Sequence, residues 1–532
     1  MNCKAALLLF AVLPAWAQPA PIKGPLLSNE QWPRPTNLRE WTSDVIRISG
    51  TEKASETAQG KAFFEWLRLF SRMAVGGMIQ AFEGDYGKER YVLDAHKGLF
   101  VYGWGYCDTT SRIAEAAWQE FKHDPHAAER VITQHDDGGY HTMFRLRMDG
   151  RHGAFDPRYG YYLIERDAPD ARVLDWSEIH GNFERNREYR NRCRPFFEIA
   201  GLEWQRALLI QPAWFDSEKA WRAAGAPKEN VFGDGAYRMG TTFHDMDFTL
   251  PRGATVERFW DNSARKFYVP ASAQSKREFP FLPSGRFYRV SESSHDANWS
   301  KFDPNYQRAR AHLSTVPANE GYPADLAGGR TIGQAYGVLT YTPNLAESGQ
   351  SVIDIRSPYV LVDGLVSATL AASGAAAPVL DIRTLAAKTS NAAQSDVWSE
   401  WQPLLTGTGP HNAELGRPRF NGKDVGIHGV YRFQLRLRDA TPARSTLSLK
   451  LYFENGIMSI PPLFAGRNTL RFAVADASAI TAPIEIVYHY QTAAGPRSHR
   501  QILRRRDFTG NAATYVIDAP GLIRCRSVSI SY

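Results

Sequence analysis

Apolar residues recur three or four positions apart at Phe63, Trp66, Leu67, Phe70 and Met73, and Gly76-Gly77 follows. That spacing predicts an amphipathic helix over 62–74 with a glycine stop. A second helix is expected to begin just after Cys107, where Ile113, Ala117 and Phe121 fall four apart, and to end at Asp124-Pro125. Strands follow at Val131–Thr133 and Tyr140–Met148. Beyond about residue 200 the pattern changes to period two, which means antiparallel sheet. Met246, Phe248 and Leu250 alternate before the turn Pro251-Arg252-Gly253, and Val256–Trp260 is expected to return as the partner strand. Tyr431, Phe433, Leu435 and Leu437 alternate with polar neighbours, as do Leu447, Leu449, Leu451 and Phe453 before Asn455-Gly456. Leu470, Phe472 and Val474 repeat the pattern, and Ile484, Ile486, Tyr488 and Tyr490 do so again. The Ala-, Ser- and Gly-rich stretch 365–395 reads as loops. A one-faced sheet must cover its apolar side, so two small β-sandwiches are expected.

The fold class expected is therefore multidomain, an α+β N-terminal core followed by all-β domains. A chain of 532 residues exceeds what one core usually organises. The expected division is 1–17 signal peptide, 18–200 catalytic core, 201–345 β-rich extension, and sandwiches over 346–456 and 457–532. Lys4, the apolar run Ala5–Trp16 and the small residues around Ala15-Trp16-Ala17 form the secretory pattern. The run is too short to span a bilayer and contains Pro14, so a secreted or periplasmic protein with no membrane association after cleavage is expected.

The net charge of +7 falls to +6 once Lys4 leaves with the signal, and only Arg504-Arg505-Arg506 forms a basic run. Phosphate binding needs clustered cations, so no nucleic-acid partner is indicated. An acidic glycan or cell-wall partner suits the basic balance without being demanded by it. No cofactor and no metal is implied. Of four cysteines, Cys3 leaves with the signal, and an odd number in an oxidising compartment keeps at least one thiol unpaired within the chain. Cys193 and Cys525 are expected to be buried, unreactive thiols, because two distant domains seldom bring Cα atoms within bridging distance.

Cys107 stands in Gly105-Tyr106-Cys107-Asp108 at a helix start, where unpaired N–H groups and the helix dipole favour a thiolate. Downstream, Asp149-Gly150 is a two-residue hairpin signal. It sets Met148 opposite Arg151 and, counting back, Met143 opposite Asp156. His141 shares the face of Met143, so Asp156 becomes its diagonal neighbour, while Phe144, Leu146 and Met148 point into a core. A helix-borne thiol, a strand-borne imidazole and a carboxylate are the Cys-His-acid set of covalent thiol catalysis.

These motifs resemble the transglutaminase-like superfamily: Gly-x-Cys at a helix start, a histidine about thirty-four residues on in a strand, and an aromatic-Asp-Pro closing the hairpin at Phe155-Asp156-Pro157. The resemblance covers roughly residues 50–165. It implies a papain-like α+β core and catalysis by Cys107 as nucleophile, His141 as base and Asp156 as orienter, through an acyl-thioester. The implied partners are extracytoplasmic protein, peptide or cell-wall amides. Met143 and Arg145 replace aromatics usual after the histidine, which leaves the substrate class open. A secreted glycan-binding or polysaccharide-acting protein built on the same unit is the alternative.

Other residues carry weaker readings. His123 and His126 beside Asp124 lack a third metal ligand and read as surface histidines. His135 and His152 are rival bases, with His152 too near the turn. Tyr159, Tyr161 and Tyr162 line a cleft or, more simply, pack a core. Trp398 and Trp401 are candidates for stacking on sugar rings, with core packing as the alternative.

Overall fold

The computed structural model describes residues 21–70, 72–73, 94–102, 104–105, 107–134, 140–157, 162, 164–166, 168, 170–180, 229–231, 244, 246–260, 266–268, 333–335, 337–348, 352–385, 398–415, 426–427, 430–454 and 459–532. The segment expected to be a signal peptide, Gly76-Gly77, His135, Tyr159, Tyr161, Cys193 and Asn455-Gly456 lie outside the described residues. The architecture is mixed: an N-terminal helical region on a small sheet, then a large antiparallel β-sheet region. No described helix is long and apolar enough to cross a membrane.

Helix α1 (Leu38–Ile48) is not anticipated above. Asn37 caps it by accepting the Glu40 N–H at 2.8 Å, and Leu38, Trp41 and Val45 bury one stripe. Helix α2 runs over Glu56–Phe70, starting earlier than the apolar spacing suggests. Gly60 explains the discrepancy: glycine lowers helix propensity, yet a Cβ here would meet Met148 Sδ at 2.1 Å, so the close approach of the hairpin requires it. The helix also ends earlier than expected, and Met73 belongs to a short strand, Arg72–Met73, paired in parallel with Trp104–Gly105. Helix α3 (Cys107–Lys122) starts and stops where expected, with His123 in the left-handed region at φ 51°.

We number the strands used below in chain order, beginning with β1 (Leu26–Asn29), β2 (Ala128–Gln134), β3 (Tyr140–Met148), β4 (Arg151–Phe155) and β5 (Glu229–Val231). The order β4-β3-β2-β5 makes a four-stranded antiparallel sheet beneath α2 and α3. Asp149 and Gly150 take φ of 49° and 76°, the mirror-image turn expected of this dipeptide, and Met148 faces Arg151. Phe144 and Phe155 stack at 5.5 Å between centroids, with Phe64 of α2 and Tyr162 packed around them. Tyr162 is thus a core residue.

The β region contains β6 (Ala254–Phe259), β7 (Gly337–Tyr341), β8 (Val352–Leu370), β9 (Val379–Thr384), β10 (Gln402–Thr406), β11 (Gly409–Glu414) and β12 (Val430–Arg438). It continues with β13 (Thr446–Glu454), β14 (Gly466–Ala473), β15 (Ile484–Thr492), β16 (Gly495–Leu503), β17 (Ala512–Ala519) and β18 (Leu522–Ser531). The ladder order is β10-β9-β12-β8-β13-β7-β6-β18-β15-β16, with β11 on β8. Hydrogen bonding therefore continues across residues 345 and 456. Two expectations change. The stretch 365–395 contains the end of β8 and all of β9, because Val366, Ala368 and Leu370 alternate inward despite their small size. The turn at Pro251-Arg252-Gly253 does not close a hairpin: Thr249–Leu250 pairs with Ile22–Lys23, while β6 takes β7 and β18 as partners, helped by Gly253 N–H donating to Tyr532 O at 2.6 Å.

The N-terminal segment ties the two regions together. β1 pairs with β14, Asn29 donates to Asn468 at 3.0 Å, and Trp32 packs between Trp66 of α2 and Phe464.

The hairpin turn also caps a helix. Asp149 accepts the N–H groups of Glu56 and Thr57 at 3.2 and 3.0 Å and the Thr57 hydroxyl at 2.8 Å, while its own N–H donates to Glu56 at 2.7 Å. Desolvation pushes this carboxyl up, but the Thr57 and Glu56 donors outweigh it and hold it below its ordinary value. Asp149→Ala should therefore cost about 1–2 kcal/mol at pH 7, and Asp149→Asn less, since Asn keeps the turn. A depressed folded-state pKa gives stability that is present above the unfolded value and lost as pH falls through the folded one. Urea unfolding should thus show the Ala deficit shrinking below about pH 4. A deficit unchanged down to pH 2 would exclude the charged cap.

Candidate functional site around Cys107

Cys107 opens α3, so its backbone lies at the positive end of the helix; the residue is 8% exposed. One turn along the same face, the Ser111 hydroxyl donates to Thr142 O at 3.4 Å. Thr142 follows His141, so this contact fixes the strand bearing His141 beside the first turn of the helix bearing Cys107. His141 lies on β3 opposite Thr133. The side chain of His141 is outside the described part of the structure. The β3–β4 ladder runs to Phe144 opposite Phe155. The ladder ends there; the next residue, Asp156, forms an isolated β-bridge and is 1% exposed. The structure thus brings the Cys107 turn and the His141 strand together, with Asp156 directly after the last pair of the hairpin ladder.

Two groups around the site escape the motif reading. The π-helical turn Lys97–Tyr102 lies on α3: a Cβ on Gly98 would approach Ile113 Cδ1 to 2.9 Å and Thr109 Cγ2 to 3.5 Å. That turn is clasped to the β region. Buried Asp94 accepts the N–H groups of Lys97 at 3.0 Å and His244 at 2.8 Å, His96 Nδ1 meets His244 O at 2.8 Å, and His244 Nε2 meets Pro358 O at 2.7 Å. Burial, with Lys97 nearby, pushes His244 down to about 3, so it is neutral at ordinary pH, and burial pushes Asp94 up. The second group locks α3 to β2. Asp108 binds Arg112 at 2.7 Å and Arg130 at 3.3 Å, and Arg130 binds Glu115 at 2.7 Å. Burial lowers Arg112 and raises Glu115, the latter against the pull of Arg130. Sequence spacing signals only the Asp108–Arg112 pair, four apart on the helix.

The rival residues fall elsewhere. His152 sits opposite Arg147 near the turn, and burial, then Arg145, lowers its pKa. Arg145 is held by Glu129 at 2.6 Å and Asp175 at 3.4 Å. His123 and His126 are exposed. Among the described residues no group of three or more His, Cys, Asp or Glu side chains is arranged to hold a metal. Trp398 and Trp401 are half-buried rather than core residues: Arg383 lies 4.7 and 4.5 Å from their ring centroids, Arg432 5.2 Å from Trp398, and Arg436 4.3 Å from Trp401. Cys525 is a fully buried free thiol that accepts Leu463 N–H at 3.0 Å, and burial pushes it up to about 12.

No family model matches the chain, and no curated protein does. Among solved structures it is similar to the N-terminal CBM22 tandem domain of Paenibacillus barcinonensis Xyn10C at 8% identity, over 37% of this chain and 79% of that one, with a TM-score of 0.12. A putative β-galactosidase from Bacteroides fragilis aligns at 8% identity over 36% of this chain and 28% of that one, with a TM-score of 0.10. A calcium-binding mutant of Bacteroides uniformis β-glucuronidase 2 aligns at 10% identity over 35% and 22%, also with a TM-score of 0.10. The aligned part of this chain spans under a third of either glycosidase. TM-scores this low do not amount to a shared fold.

Arg130 is the pivot of the network under α3. Arg130→Ala leaves Glu115 buried without its main partner and should cost about 3 kcal/mol or more, read as a lowered urea midpoint at unchanged slope. A loss below about 0.5 kcal/mol, the scale of an exposed pair, would show that the network does not hold the helix.

Proposed function

We propose that this chain is an exported thiol enzyme of transglutaminase-like type, with a papain-like core over residues 18–200 and β-sandwich modules that position substrate. Its substrate is an amide of extracytoplasmic protein, peptide or cell wall. The observation that supports the reading is the Ser111 bond that ties the His141 strand to the Cys107 turn, with Asp156 following directly on the last pair of the same hairpin. In this reading Cys107 Sγ attacks the amide carbonyl carbon as His141 takes the thiol proton. The oxyanion is held by the Cys107 backbone N–H at the helix start. His141 then protonates the amine nitrogen as the C–N bond breaks, leaving an acyl-thioester. Water or a second amine attacks that ester, gives its proton to His141, and the thiol is regenerated. Asp156 holds the imidazole tautomer throughout.

Iodoacetamide should label Cys107 faster than it labels free cysteine, while Cys525, enclosed and with a raised pKa, stays unlabelled until unfolding. Labelling of Cys107 at the free-cysteine rate would favour a scaffold role. On a panel of peptides and glycans, Cys107→Ser, His141→Ala and Asp156→Ala should each lower turnover by about a thousandfold or more, non-additively, with unfolding midpoints little changed. Asp156→Asn should be milder than loss of the nucleophile. Full activity in Cys107→Ser would end the covalent reading.

A further inference from the structure

His244 is bound through both its backbone and its ring. The backbone N–H donates to the Asp94 carboxylate at 2.8 Å, and the carbonyl accepts His96 Nδ1–H at 2.8 Å. Both polar groups of this backbone position are thus taken by side chains that lead into the π-helical turn Lys97–Tyr102. The ring then reaches the β region. A carbonyl only accepts, so Nε2 carries the proton that meets Pro358 O on β8 at 2.7 Å, and the imidazole lies 4.9 Å from the ring of Tyr431 on β12. Lys97 Nζ stands 4.8 Å over the same Tyr431 ring, so the turn and His244 share one support.

Asp94 also starts the turn, its carboxylate accepting Lys97 N–H at 3.0 Å and its carbonyl accepting Gly98 N–H at 3.0 Å. Gly98 lies directly on α3, where a Cβ would come within 2.9 Å of Ile113 Cδ1 and 3.5 Å of Thr109 Cγ2. Thr109 belongs to the first turn of α3, the turn that Cys107 opens. A contact with no room for a Cβ passes displacement on rather than absorbing it. From the π-helical turn the chain continues through Trp104–Gly105, paired with Arg72–Met73, into Cys107. The clasp therefore fixes both the packing under the first turn of α3 and the backbone that enters it. N–H groups at a helix start stabilise a thiolate only while they point at it. We propose that the His244 clasp positions the first turn of α3, so that the β region sets the reactivity of Cys107, with Asp94 and His244 as positioning residues. This inference rests on reading Cys107 as an activated thiol.

Iodoacetamide labelling of the full chain, followed by peptide mass as a function of pH, tests this, with buried Cys525 as the internal reporter of an intact β region. His244→Ala should raise the half-maximal pH of Cys107 labelling toward that of free cysteine by about half a unit or more. Labelling below that midpoint then slows by about threefold, while Cys525 stays unlabelled. His244→Gln, whose side-chain amide replaces Nε2 as donor to Pro358 O, should restore the wild-type midpoint. Ile517→Ala, which opens a cavity in the core under β17, should lower the unfolding midpoint and leave the labelling profile unmoved. If Cys525 of His244→Ala is labelled without denaturant, that variant is unfolded and Asp94→Asn carries the test. Its amide N–H₂ replaces one of the two acceptor oxygens and should give the same upward shift. With a fast wild-type Cys107, an unmoved midpoint in the folded variant, no recovery in His244→Gln, or an equal shift in Ile517→Ala would overturn the clasp alone. Wild-type labelling at the free-cysteine rate would overturn the thiol reading and this inference with it.

Discussion

The register of one hairpin carries most of the N-terminal region. Side chains alternate with period two, so a slip of one residue across the Asp149-Gly150 turn would move Phe144, Leu146 and Met148 off their core face and bring Arg145 onto it. The turn allows no such slip. Both its residues sit at positive φ, and the Asp149 carboxylate is held by the first N–H groups of α2. Turn, register and helix start are therefore one unit. Gly60 completes it from the helix side, since only a missing Cβ lets Met148 lie against α2.

A second constraint links the ends of the chain. β1 supplies an edge to β14, and Trp32 then inserts between Trp66 and Phe464. The Asp94–His244–Pro358 clasp makes a separate connection, from the turn that supports α3 to β8. Each joins a residue before 100 to one more than two hundred positions later or to its intermediary. Such contacts order a large loop of chain, an entropic cost that the buried rings and hydrogen bonds must offset.

Local chemistry made the hairpin, α3 and the alternating strands of the β region legible in the sequence, because each repeats its period over several residues. The misses are those where tertiary contact overrides local preference. α1 is short, and its signal lay in Asn37 and Glu40, a cap with an acidic third position, rather than in long periodicity. The end of β8 was obscured because alanine can face a core wherever the opposing side chains are large enough to fill it, and β9 because it is short and follows an Ala- and Gly-rich run. The hairpin expected at Pro251 failed for a different reason: local turn chemistry says nothing about which distant strand offers the longer ladder, and β6 found two. For the candidate site, the Met148–Arg151 register was readable from the turn, whereas Arg130 and His244 were not, since neither stands at a fixed sequence offset from Cys107.

Arginines of the large sheet are held by the sheet's own side chains. On the outer face of β9 and β12 the guanidinium groups are already satisfied: Arg432 by Asp354, Arg436 and Arg438 by Asp381, and Arg383 by Gln434. Asp381 is held below its ordinary value because these bonds outweigh its desolvation. The same guanidinium groups lie near the Trp398 and Trp401 rings, and an anion approaching them would have to displace the carboxylates of Asp354 or Asp381.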